Sequence, residues 1–165
     1  MILAFDISST NIGVVAWQDN AVLWHRTIVL RGKDLGQRLL AAQREFLPLF
    51  PPQRPNLVAY EGPAYSKKNM LAVIAQAKTA GLLEVLCAGL GVPIVAITPS
   101  SAKKALSGSG KAEKAEMVRC AAAYLCNDYS EHEADALGVA LAAAARRWRC
   151  TSPRRITSKP TTSTR

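Results

Sequence analysis

ILAFDISSTNIGVVAWQDNAVLWHRTIVL, residues 2–30, is the stretch on which the fold turns. Residues 2–5 form a short apolar run that ends in Asp6 and the polar turn Ser8-Ser9-Thr10-Asn11. Residues 12–17 and 21–30 then read as two further strands, and Asp19-Asn20 between them is hairpin-turn chemistry. Three strands in a meander therefore open the chain.

Farther along, strands alternate with helices. Over residues 33–50 the apolar positions Leu35, Leu39, Leu40, Phe46, Leu47 and Phe50 recur at helical spacing, and Pro51, Pro52 and Pro55 end that helix. Residues 56–60 read as a buried strand that delivers Glu61 at its end. A long helix over 69–90 closes at Gly91, and 92–97 is a strand stopped by Pro99. Two helical stretches follow, over 111–126 and 131–148. A meander followed by alternation predicts a mixed α/β sheet flanked by helices. No internal repeat and no interior linker interrupts it.

Composition narrows the function classes. At 165 residues, 49% hydrophobic and 20% charged, the chain is sized for one globular domain. Apolar runs such as 134–145 are interrupted by charge or too short to span a bilayer, and Asp6 stands where the apolar part of a signal peptide would lie. The four cysteines (Cys87, Cys120, Cys126, Cys150) form no C-x-x-C pair, which fits reduced thiols in a cytoplasm. The net charge of +9 is unevenly spread: residues 1–145 hold all 12 acids against 14 Lys and Arg, whereas the last twenty hold seven cations and no acid. A domain over 1–148 and a basic, disordered tail over 149–165 follow; the tail either tracks nucleic-acid phosphates or is an inert solubilising segment.

Asp6 and Glu61 each follow an apolar strand directly, where sites collect in α/β sheets. Two acids so placed can hold a hard divalent cation, although each alone is equally an ordinary turn residue or helix cap. In 131–137, EHEADAL, His132 and Asp135 stand at i and i+3 and share a helix face. They mark either a site at the helix start or plain charge complementing the helix dipole. Glu131, at i−4 from Asp135, is a candidate supporting carboxylate, and Glu133 is expected to point away.

Strand-Asp, strand-Glu, then a late helix opening in His-x-x-Asp resembles the RuvC family of Holliday-junction resolvases, over about residues 1–145. ILAFDISSTNIGVVAW (2–17) looks like the family's opening strand and hairpin, and DLGQRLLAAQREFLPLFPPQRPNLVAYEGP (34–63) like its first helix and Glu-bearing strand. AQAKTAGLLEVL (75–86) is similar to its long helix and EHEADALGVALA (131–142) to its last catalytic helix. Most specific is ITPSSAKKALSGSGKAEKAEMV (97–118), which resembles the Lys-rich segment ending in G-x-G-x-A-x-K.

The resemblance implies an RNase H-like fold and a metal-dependent endonuclease that cuts four-way junctions by paired, symmetrical nicks. It implies Asp6, Glu61, His132 and Asp135 as catalytic metal ligands, with Asp6 shared between two Mg²⁺ ions and Mn²⁺ as a substitute. It implies DNA contacts from Lys103 and Lys114, with Lys104 and Lys111 in the same segment, and from Tyr65, Lys67 and Lys68 in the loop after Glu61. An aromatic in that loop stacks on a base in the family; here the matching position is Ala64, with Tyr65 next to it. A two-site C₂ homodimer through a helix over about 72–90 is implied by a junction with two strands to cut. DISSTNIG (6–13) is closer to phage relatives than to the usual Asp-Pro-Gly opening, so a phage-type protein acting in a bacterial cytoplasm, with broader branched-DNA debranching, is the alternative.

Two other classes compete. DISSTNIG also resembles the phosphate-binding turn of the actin and sugar-kinase superfamily, but those enzymes need two such domains. A non-catalytic DNA-binding module leaves three converging acids and a histidine without a purpose.

Overall fold

The computed structural model describes residues 1–50, 55–62, 69–125 and 128–151, with side chains as far as residue 146. Its elements are β1 (Ile2–Ile7), β2 (Asn11–Gln18), β3 (Ala21–Val29), α1 (Leu35–Phe46), a 3₁₀ turn (Leu47–Leu49), β4 (Leu57–Glu61), α2 (Met70–Leu90), β5 (Ile94–Ile97), α3 (Pro99–Ser107), α4 (Lys114–Ala121) and α5 (Glu131–Thr151).

The meander is present as expected. Asp19 and Asn20 sit at φ 50° and 62°, the left-handed pair that a two-residue hairpin turn needs to match strand twist. The five strands lie in the order β3-β2-β1-β4-β5, with β1–β2 and β2–β3 antiparallel and β1–β4 and β4–β5 parallel.

Side-chain alternation along these strands makes two cores. Leu3, Phe5, Ile7, Val14, Val58 and Tyr60 face Ala42 and Phe46 of α1 and Ala80, Leu83 and Cys87 of α2. Phe5 and Phe46 meet edge to face at 5.5 Å, a pairing that adds about 0.5–1.5 kcal/mol to simple burial. The opposite face, Ile2, Ala4, Val15, Trp17, Ala59 and Ile97, packs on Ala102 of α3, Ala121 of α4 and Leu137 and Ala140 of α5. Helices thus cover both faces of a mixed sheet.

Element bounds differ in detail from the expectations. Residues 99–107, read as following a strand stop, form α3: Thr98 caps it by accepting from the Ser101 amide, Pro99 occupies its first turn, and Gly108 at φ 84° ends it. The helix read over 111–126 is α4, and only Lys114–Ala121 are helical. The helix α2 is long and apolar enough to cross a membrane by length and composition, with Lys78 and Glu84 interrupting it. One face of α2, through Ala75, Thr79, Ala80, Leu83 and Cys87, is nevertheless buried on this protein's own core. Its other face leaves Leu71 82% and Val85 69% exposed. The helix read over 131–148 is α5 and runs to Thr151, and residues 152–165 of the expected tail over 149–165 lie outside the described residues.

Candidate active site

Strand register places four residues in one row across the sheet. Phe5 pairs with Tyr60, so Asp6 and Glu61, one residue on, lie side by side at the carboxyl ends of parallel β1 and β4. Asp6 also pairs with Gly13 of β2, and Gly13 pairs with Thr27 of β3. By alternation from Ala4 and Ala59, both carboxylates face the α3–α5 side.

The first turn of α5 lands on this row at Gly13. A Cβ at that position would stand 2.0 Å from the His132 carbonyl oxygen and 2.8 Å from the Glu133 amide nitrogen, so only glycine lets the helix approach this closely. From there His132 Nδ1 reaches Asp6 Oδ2 at 2.7 Å. Its hydrogen bond to Asp6 outweighs burial and raises the imidazole above its ordinary pKa. Farther back, Gly138 keeps α5 close to α3, because a Cβ there would meet the Ala102 carbonyl oxygen at 2.9 Å.

The carboxylates crowd one another electrostatically. Burial, then the charges of Asp6 and Asp135, push Glu61 up to about 8, against an opposing pull from Lys103. Burial, then Asp6, push Asp135 up to about 6, opposed by Lys114, His132 and Lys103. The four expected ligands therefore share one field. Among the described residues no three His, Cys, Asp or Glu side chains already close on a single point. The site is an open cluster of oxygen donors with one imidazole, a donor set suited to a hard divalent cation. Buried carboxylates that raise each other's pKa are relieved by such a cation.

The lysines divide. Lys103 of α3 donates to the Ala112 carbonyl at 2.8 Å and lies close enough to act on Glu61 and Asp135. Lys114 at the start of α4 bonds Glu131 at 2.9 Å and is held above its ordinary pKa, first by that bond and then by the charges of Asp135 and Asp6. Glu131, expected as a support for Asp135, is instead the partner of Lys114. Lys104 turns away into a groove with Ser101, Ala142 and Arg146, and Lys111 is exposed on the loop before α4. Tyr65, Lys67 and Lys68 lie outside the described residues.

Glu133 is the residue that sequence reasoning underrated. It points away from the acidic cluster but is only 6% exposed, buried against β3. Thr27 Oγ1 donates to its Oε1 at 2.6 Å, Ser130 Oγ stands at 3.2 Å from the same oxygen, and His25 Nδ1 pairs with Oε2. Burial pushes this carboxyl up, yet the bonds from Thr27 and His25 win and hold it below the usual range. The Ser130-x-x-Glu133 spacing, with Ser130 Oγ accepting from the Glu133 amide at 3.2 Å, is a capping-box pattern that marks this helix start in the sequence.

With this geometry in place, likeness to known proteins is informative. A family model described as crossover junction endodeoxyribonuclease RuvC matches residues 6–143. The chain is 33% identical over 116 residues to the RuvC of Salinispora arenicola, covering 70% of this chain and 66% of that relative. It is 30% identical over 157 residues to the RuvC of Thermobifida fusca, covering 91% of this chain and 84% of that one. The structure of Thermus thermophilus RuvC in complex with Holliday junction substrate superposes with a TM-score of 0.76 at 25% identity, over 91% of this chain and 96% of that one. The yeast mitochondrial Holliday junction resolvase Ydc2 shares the fold, with a TM-score of 0.55 at 13% identity over 90% of this chain and 80% of that one.

Proposed function

This chain belongs to the RuvC family of crossover junction endodeoxyribonucleases, and from that membership we propose that it resolves Holliday junctions by metal-dependent hydrolysis at the Asp6–Glu61–His132–Asp135 cluster. The reading rests on three observations together: Asp6 and Glu61 lie side by side on one sheet row, His132 bonds Asp6, and Asp135 shares the electrostatic field of Asp6 and Glu61. Nucleases of this family are metal-dependent. Our finer assignment is two Mg²⁺ ions, replaceable by Mn²⁺, held by Asp6, Glu61, His132 and Asp135.

When bound, the ions supply Lewis-acid stabilisation of the negative charge that builds on the attacked phosphate. Everything else falls to the chain. Asp6 accepts from His132 and so fixes which face the imidazole presents to the cluster. Lys103 and Lys114 flank the acids and offer cationic contacts to the phosphates either side of the scissile bond. Glu131 restrains Lys114 near that position.

Two strands must be cut at symmetry-related positions, and one such site reaches one of them. A C₂ dimer provides the second. The exposed apolar face of α2, with Leu71, Ile74 and Val85, supports that helix as the contact.

The deciding experiment offers purified protein a synthetic four-way junction, a fork and a linear duplex, with and without Mg²⁺. Paired symmetrical nicks in the junction, only with metal, are expected. Equal cutting of forks moves the assignment to general debranching, and no cutting of any substrate with Mg²⁺ or Mn²⁺ overturns it.

A further inference from the structure

We propose that Glu133 is a positioning residue: gripped by Thr27 and His25 of β3, it seats the first turn of α5 so that His132 and Asp135 face Asp6 and Glu61. The proposal rests on the reading of that cluster as a metal site.

Consecutive helical residues project about 100° apart. His132 and Glu133 therefore leave the helix in different directions, one to β1 and the other to β3, with Gly13 of β2 between them. Backbone contact at Gly13 sets how deep the helix sits. Two anchors on opposite sides of that contact set how it is rotated about its axis, and rotation decides where the i+3 residue Asp135 points. Among the described residues no bond of Glu133 reaches the acidic cluster, so its influence on His132 and Asp135 is transmitted through the helix.

The chemistry of the anchor argues for precision. A carboxylate 6% exposed is costly to desolvate, and an apolar side chain would fill this place with less penalty. What the carboxylate adds is direction: its two oxygens are taken by Thr27 and Ser130 on one side and His25 on the other. Outer groups that orient metal ligands characteristically change metal affinity or activity by about 10–100-fold when removed.

The test compares wild type, Glu133→Ala, Thr27→Val and Thr27→Ser by calorimetric titration with Mn²⁺ in the absence of DNA, and by kcat and KM for a four-way junction. Thr27→Val is the milder change, deleting the hydroxyl at nearly constant shape. Glu133→Ala and Thr27→Val are expected to weaken Mn²⁺ binding by about 10–100-fold and to lower kcat with KM unchanged, while Thr27→Ser restores both. Wild-type Mn²⁺ affinity and kcat in folded Thr27→Val overturn the proposal, as does a Thr27→Ser protein no better than Thr27→Val. Asp6→Asn is the control for the site itself. If wild type binds no Mn²⁺, or binds it no better than Asp6→Asn, the metal-site reading fails and the positioning proposal falls with it.

Discussion

Gly13 of β2 and His132 of α5 touch backbone to backbone, and that contact sets the distance between the sheet's carboxylates and His132 and Asp135 of the helix. No side chain fits between them, since a Cβ on residue 13 would lie 2.0 Å from the His132 oxygen and 2.3 Å from its carbonyl carbon. Asp6, the pairing partner of Gly13, is thereby within 2.7 Å of the His132 ring.

Gly13→Ala should accordingly damage catalysis more than folding. Forcing in one methyl group costs about 1–3 kcal/mol where a core is tight. A lift of the helix by about 1 Å is enough to reduce cleavage by about 10²-fold. Thermal melts beside junction-cleavage rates check this; a folded Gly13→Ala protein cutting at the wild-type rate would contradict the geometry.

Metal and pH should be coupled in stability. Glu61 at about 8 and Asp135 at about 6 hold protons more tightly in the fold than at their ordinary values of 4.5 and 3.8. Their contribution to stability is present below those ordinary values and is lost as pH rises toward about 8. The metal-free protein should therefore melt lower at pH 8 than at pH 5, and Mg²⁺ should raise Tm clearly at pH 8 and little at pH 5. Melts in chelator and in Mg²⁺ across this range test it, and an equal Mg²⁺ effect at both pH values would be the contrary result.

Asp6→Asn should reduce cleavage to background while junction binding stays equal or tightens, because the proposed metal ligand and a negative charge are both removed. Gel-shift affinity measured beside cleavage separates the two effects. An active Asp6→Asn protein would show that the chemistry lies elsewhere.

Placing charge on the exposed face of α2, as in Leu71→Glu with Val85→Glu, should yield a monomer with little change in Tm, since neither side chain contributes to the core. Sedimentation of both proteins at micromolar concentration reads this out. A wild-type monomer, with or without junction DNA, would be incompatible with the two-site arrangement.

Much of this protein is legible from residue order alone. The meander follows from apolar runs broken at Asp19-Asn20, and Asp6 and Glu61 announce themselves because a charged group directly after a buried strand has a short menu of explanations. His132 and Asp135 share a face by helical period. These are local signals, and the fold keeps them. The strand stop at Pro99 is kept as well, while the helix α3 that opens there is not marked by it, since one fixed φ serves both a strand end and a helix start.

Tertiary structure alone decided the rest. That Asp6 and Glu61 are neighbours depends on the β1–β4 register, across fifty-five residues of chain. That Glu133 is a buried anchor depends on Thr27 and His25, more than a hundred residues earlier. Gly13 looks like any strand glycine until a helix from the other end of the chain arrives above it. Periodicity tells which way a side chain leaves its own element, but the distance between two elements is set by what both of them pack against.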